Sequence, residues 1–105
     1  MDLDIDMAVH GDLSPYAGWY AAGRLRPVLW FSPEPVSAVH VELTSEPDSG
    51  VVPTVVASAK LRVAGRPVEA AAKGVSARQA IDRLYARLRM LLTRSFAGRS
   101  VVDVA

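Results

Sequence analysis

The stretch Ser76-Ala77-Arg78-Gln79-Ala80-Ile81-Asp82-Arg83-Leu84-Tyr85-Ala86-Arg87-Leu88-Arg89-Met90-Leu91-Leu92-Thr93-Arg94-Ser95-Phe96 reads as one long amphipathic helix. Ser76 and Gln79 form a capping box: the serine hydroxyl accepts from the Gln79 amide, and the glutamine side chain reaches back. Ala77, Ile81, Leu84, Tyr85, Leu88, Leu92 and Phe96 recur at helical spacing and mark one buried face. At about 100° per residue, Arg83, Arg87 and Arg94 fall in a narrow strip beside that face. Arg78 and Arg89 lie on the opposite flank, near Asp82. A helix with one greasy face needs an apolar surface to lie on, so the rest of the chain must supply one.

The segments before it alternate. Thr54 to Val63 reads as a strand with Val55, Ala57, Ala59, Leu61 and Val63 inward and Val56, Ser58, Lys60 and Arg62 outward. Ala64-Gly65-Arg66 makes a tight connection to a short strand, Val68–Lys73. Upstream of a polar, turn-rich loop at Ser45 to Gly50, Val36 to Thr44 reads as another strand. Its Val39, Val41 and Leu43 stand opposite Ala38, His40 and Glu42. Ser32-Pro33-Glu34-Pro35 is a breaker loop. Ser14-Pro15 starts a helix, with serine as N-cap and proline at the first helical position. That helix is expected to reach about Leu29, with Ala17, Ala21, Leu25, Val28 and Leu29 on one face. Gly18, Gly23 and Pro27 weaken it. Residues 2–9 alternate strictly, Leu3, Ile5, Met7 and Val9 against Asp2, Asp4, Asp6 and Ala8, which predicts a first strand with an acidic outer face. The tail after Ala97 is short.

The expected order is β-α-β-β-β-α. The fold class is α+β: a four-stranded, largely antiparallel sheet with two helices packed on one face. The other face would be solvated and carry Asp2, Asp4, Asp6, His40, Glu42, Lys60, Arg62 and Glu69. A chain of 105 residues is one small domain, with its ordered core expected over about 2–96.

Composition narrows the function. There is no cysteine, which excludes disulfides and thiolate-rich metal sites. No apolar run approaches the roughly 20 residues of a membrane span. The acidic start lacks a signal peptide's basic-then-apolar plan, so a soluble, cytoplasmic protein is expected. The net charge of +1 hides a split: residues 1–53 carry −6 and residues 54–105 carry +7. Such asymmetry suits a polyanionic partner, and equally two halves that neutralise each other within one domain.

Enzyme signals are poor. His10 and His40 are far apart in sequence and read as surface or satisfied histidines. Asp2, Asp4 and Asp6 would lie roughly 6–7 Å apart along one strand face, too far for a compact oxygen cage. There is no phosphate-binding glycine loop. No cofactor, metal or catalytic group is expected. Binding signals are better. Arginine suits phosphate because its planar fork donates paired hydrogen bonds and keeps its charge. Two parallel helices on one sheet would bring Arg24 of the first toward Arg83 and Arg87 of the second. The arginines read either as a phosphate-binding surface or as solubilising groups lying over apolar neighbours. Tyr16, Trp19 and Tyr20 fall away from the first helix's buried face and suggest a protein contact. If the glycines shift the register, these rings cover the edge of the core instead.

Four stretches resemble the ribosome hibernation-promoting factor family, also called the sigma-54 modulation or ribosomal S30EA family. Leu13-Ser14-Pro15 with Tyr20-Ala21 and Arg24-Leu25 is similar to its first helix. Trp30-Phe31-Ser32-Pro33-Glu34-Pro35-Val36-Ser37-Ala38 is similar to its aromatic pair, loop and second strand. Ala59 to Gly74 is similar to its hairpin, and Ala80-Ile81-Asp82-Arg83-Leu84 with Arg87-Leu88 to the opening of its second helix. The resemblance implies a β-α-β-β-β-α fold that binds RNA of the small ribosomal subunit, occupies the channel of messenger and transfer RNA, and silences idle ribosomes under stress. It implies RNA contacts from Arg24, Arg87 and Arg94; the strip adds Arg83, and Arg89, on the other flank, is the next candidate. Family members end the second helix in dense lysine and arginine; here Leu91-Leu92-Thr93 and Ser95-Phe96 take much of that place. An alternative is a diverged relative that binds protein, or a second copy of itself as a homodimer, through Tyr16, Trp19 and Tyr20.

Overall fold

The computed structural model describes residues 5–32, 34–46 and 54–97, with side chains to residue 93. The expectations for Asp2, Leu3, Asp4 and Pro33, for most of the Ser45–Gly50 loop, for the side chains of Arg94 and Phe96, and for the tail lie outside these residues. The elements are β1 (Ile5–His10), α1 (Tyr16–Leu25), a 3-10 helix η1 (Arg26–Phe31), β2 (Val36–Glu46), β3 (Thr54–Val63), β4 (Arg66–Gly74) and α2 (Ala77–Ala97). The order is the expected β-α-β-β-β-α.

The four strands lie side by side in chain order. β2–β3 and β3–β4 are antiparallel, while β1 runs parallel to β2, so the sheet is mixed and mostly antiparallel. The parallel pair follows from α1 and η1, which carry the chain back across the sheet before β2 begins. The β3–β4 hairpin turns on Ala64 and Gly65, with φ of 51° and 80°. Left-handed backbone at both central positions is the twist-matched two-residue turn of hairpins.

Period two selects the core. Val39, Val41 and Leu43 of β2 and Val55, Ala57, Ala59, Leu61 and Val63 of β3 are buried on one face. Ala17, Ala21 and Leu25 of α1, Val28 of η1, and Ala80, Ile81, Leu84, Leu88 and Leu92 of α2 cover them. Ile5 and Met7 pack against this cluster, but Val9, expected inward, is largely exposed at the sheet's edge. Two glycines set how closely the helices approach. A Cβ on Gly74 would lie 2.6 Å from the Ala80 amide nitrogen. One on Gly18 would meet Met7 and Val9 of β1 at 3.3 and 3.4 Å.

The first helix departs from expectation at its end. It stops at Leu25 rather than Leu29, and the chain tightens into η1. Pro27 is the cause: it has no N–H for the carbonyl four residues back, and its ring crowds that carbonyl. The helix starts at Tyr16 with Pro15 at its cap, one residue later than read, and Ser14 Oγ still accepts from the Tyr16 amide at 3.1 Å. In α2, Ser76 Oγ accepts from the Gln79 amide at 3.1 Å. The reciprocal bond is shifted by one residue: Gln79 Oε1 accepts from the Val75 amide at 2.8 Å, not from that of Ser76.

The uncovered sheet face is charged. Asp6, His40, Lys60 and Glu69 stand in register across all four strands. His40 Nδ1 lies 2.9 Å from Asp6 Oδ2, and both histidines converge on Glu42, His40 at 3.6 Å and His10 at 3.7 Å. Asp6 first, and then Glu42, raise the His40 pKa above its ordinary value. Both histidines are thus partnered surface groups. Among the described residues, no group of three or more histidine or acidic side chains is arranged to hold a metal ion.

Candidate nucleic-acid interface

Helix α2 lies with Ile81, Leu84, Leu88 and Leu92 against the sheet, so its other residues form two flanks and a ridge toward water. One flank faces α1 and η1; the other overlooks β4. Both carry arginine.

On the first flank every guanidinium lies over a ring. Arg78 sits over Tyr20 at 5.4 Å, Arg24 over Tyr85 at 4.1 Å, and Arg89 over Phe31 at 4.6 Å from the ring centroids. The partners rise together in residue number, so α1–η1 and α2 run side by side in the same direction. Asp82 lies between them. Its Oδ1 accepts from the Tyr20 hydroxyl at 2.7 Å and from Arg24 Nε at 3.0 Å. Tyr20 and then Arg24 hold the Asp82 carboxyl below the usual carboxylate range, and the Asp82 bond in turn raises the Arg24 pKa. Guanidinium–ring contacts and a charge-assisted bond fix these side chains before any ligand arrives.

The second flank is barer. Arg83 Nη1 donates to the Lys73 carbonyl at 2.9 Å, at the outer edge of β4. Arg87, one turn on, makes no hydrogen bond or ion pair with any described residue. Together with Lys73, Met90 and Leu91 they line an open groove floored by Ala70 and Ala72. Among the described residues, Glu69 is the only acid lining that groove.

These positions change the reading of the candidate residues. Arg83 and Arg87 come together as expected. Arg24 does not join them; it turns to the opposite flank, where Asp82 neutralises it. Asp82 pairs directly with Arg24 across the helices, and Arg78, one of the two α2 arginines expected near it, acts on it only through charge. Arg89 is exposed and stacked on η1. Arg94 belongs to α2, but its side chain lies outside the described residues. Of the three aromatics read as outward, Tyr20 is half-buried and hydrogen-bonded, covering the core's edge, while Tyr16 and Trp19 are 72% and 77% exposed. Trp30 is more exposed still, at 82%, and was not among the candidates. The signal for it was Pro27: once the α-helix ends, the helical wheel no longer says where Trp30 points.

The solved structures that share this fold include two of similar length. The N-terminal domain of protein Y from Thermus thermophilus superposes with a TM-score of 0.69 over 88% of this chain and 98% of its own, at 17% identity. That is the fold expected from the sequence. A ribosomal subunit interface protein from Coxiella burnetii gives a TM-score of 0.69 over 90% of this chain and 98% of its own, at 18% identity. At such identity the likeness is one of fold. No family model matches the chain, and no curated protein does. Among the described residues, no helix is long and apolar enough to cross a membrane.

Proposed function

We propose that this chain binds the RNA of the small ribosomal subunit and inhibits translation by occupying the channel of messenger and transfer RNA. The role is non-enzymatic, cytoplasmic and tied to hibernation under stress. The observation that carries it is Arg87 beside Arg83: charged, exposed and, for Arg87, without a hydrogen-bond or ion-pair partner among the described residues. A guanidinium that stabilises nothing internally is suited to an external anion, and its planar fork matches phosphate. The fold supports the same reading, because one of the proteins sharing it is named for a ribosomal subunit interface. Arg89 adds a fixed cation across the ridge, and Arg94 follows Arg87 in α2 by seven residues, about two turns. Arg24 contributes less, since Asp82 already takes up its charge.

The second reading is a protein-binding or self-assembling module, favoured by the exposure of Tyr16 and Trp19. Co-sedimentation with purified small subunits, at low and high salt, decides between them. Phosphate contacts give saturable binding that weakens steeply as salt rises, because each neutralised phosphate releases counterions. Absence of binding at low salt, together with concentration-dependent dimerisation, would establish the second reading.

A further inference from the structure

We propose that Trp30 is a stacking platform for an unpaired nucleobase, with Arg89, which lies over the neighbouring Phe31, to contact a nearby phosphate of the same strand. The inference rests on the RNA-binding reading and specifies which part of an RNA is held. Pro27 forces the tight helix in which residues three apart lie on one side. Val28 is fully buried, so Phe31, three residues on, shares its side and meets Arg89 of α2 at 4.6 Å. Trp30 is thereby turned the other way, 82% exposed.

The turn that presents it is braced. The Ser32 amide donates to the Leu29 carbonyl at 3.3 Å, and Ser32 Oγ donates to the Glu34 carbonyl at 2.7 Å. A large flat ring on a fixed support loses little freedom on stacking. Every base has a π-face, while a base inside a duplex has both faces covered, so the platform selects unpaired nucleotides. Charge favours nucleic acid over an apolar protein surface. The segment η1 carries Arg26 and no acid, and the guanidinium of Arg89, laid over Phe31, makes no hydrogen bond or ion pair among the described residues, so its N–H groups suit a phosphate.

The test uses Trp19→Phe, which leaves Trp30 as the sole tryptophan. Its fluorescence is followed during titration with a short single-stranded oligoadenylate and with a blunt RNA duplex. Saturable quenching by the single strand, and little by the duplex, is expected. Trp30→Ala should weaken single-strand binding roughly 10-fold and leave duplex binding unchanged, with Trp30→Phe restoring most of the loss. Equal single-strand affinity in Trp30→Ala overturns the proposal, as does quenching that depends only on protein concentration, which would mean that a second copy covers the ring. Duplex binding with Trp30 unquenched sinks the stacking alone; binding to neither RNA sinks the RNA reading with it.

Discussion

The two flanks of α2 use the same residue type for different ends. Toward α1, arginines lie flat on Tyr20, Tyr85 and Phe31, and Asp82 draws Tyr20 and Arg24 to one carboxylate oxygen. Toward β4, Arg83 touches a single carbonyl and Arg87 touches nothing described. A charge that the fold holds contributes to the fold; a charge that the fold leaves open is the one available to the proposed RNA contact. Counting arginines on a helical wheel merges the two, and only the neighbours separate them.

The largest effect tests what seats the open flank. Gly74 ends β4 where the Ala80 backbone passes, and a Cβ there would meet an amide nitrogen that cannot step aside. Gly74→Val should cost about 2 kcal/mol in denaturant unfolding, through overpacking. It should also reduce RNA affinity by displacing Arg83 from Lys73. An unchanged midpoint would mean that α2 is not held at this contact.

The held flank is broken at Asp82. Asp82→Asn keeps an acceptor for Tyr20 but releases Arg24 from its counter-charge. Thermal stability should fall while RNA affinity rises roughly a few-fold at low salt, as one more cation becomes available. A fall in affinity would mean that Arg24 binds RNA only in its paired geometry. The same carboxylate sets an acid limit. Its folded pKa is depressed, so its contribution is present above the ordinary aspartate value and is lost as pH falls through the depressed one. Acid melts of wild type and Asp82→Asn should therefore converge below the ordinary carboxylate range. A gap that persists there would exclude the ion pair as the cause.

The smallest effect lies on the open sheet face. His40 has a raised pKa, so its stabilising pairing with Asp6 and Glu42 is complete below the ordinary histidine value and fades as pH rises through the raised one. Histidine resonances should report His40 titrating above the ordinary histidine value. His40→Gln should remove the small stability difference between mildly acidic and alkaline buffer while leaving RNA binding unaltered. A change in RNA affinity would place the binding surface on the wrong side of the sheet.

Most of the fold was legible because burial follows period. The alternation in β2 and β3 picked out Val39 to Leu43 and Val55 to Val63, and the 3.6-residue repeat picked out Ile81, Leu84, Leu88 and Leu92, all of which are buried. Alternation alone did not give the parallel β1–β2 pairing, since it is the same in either direction; the direction comes from the helical connection between the two strands. The site was half legible. Arg83 and Arg87 share a strip by geometry alone. That Arg24 turns away from them depends on a contact between residues 58 apart in the chain, which no local pattern reports. Trp30 was hidden by a single proline, which ended the helix that would have predicted its direction.

Charge reversal on the open flank tests the central claim most directly. Wild type and the Arg83→Glu, Arg87→Glu double variant would be co-sedimented with small ribosomal subunits at low salt, with thermal melts alongside. The account predicts saturable binding by wild type, its loss in the variant, and nearly equal melting temperatures, since these arginines hold little of the fold. Equal binding by both proteins would contradict it and return the function to the other flank or to a protein partner.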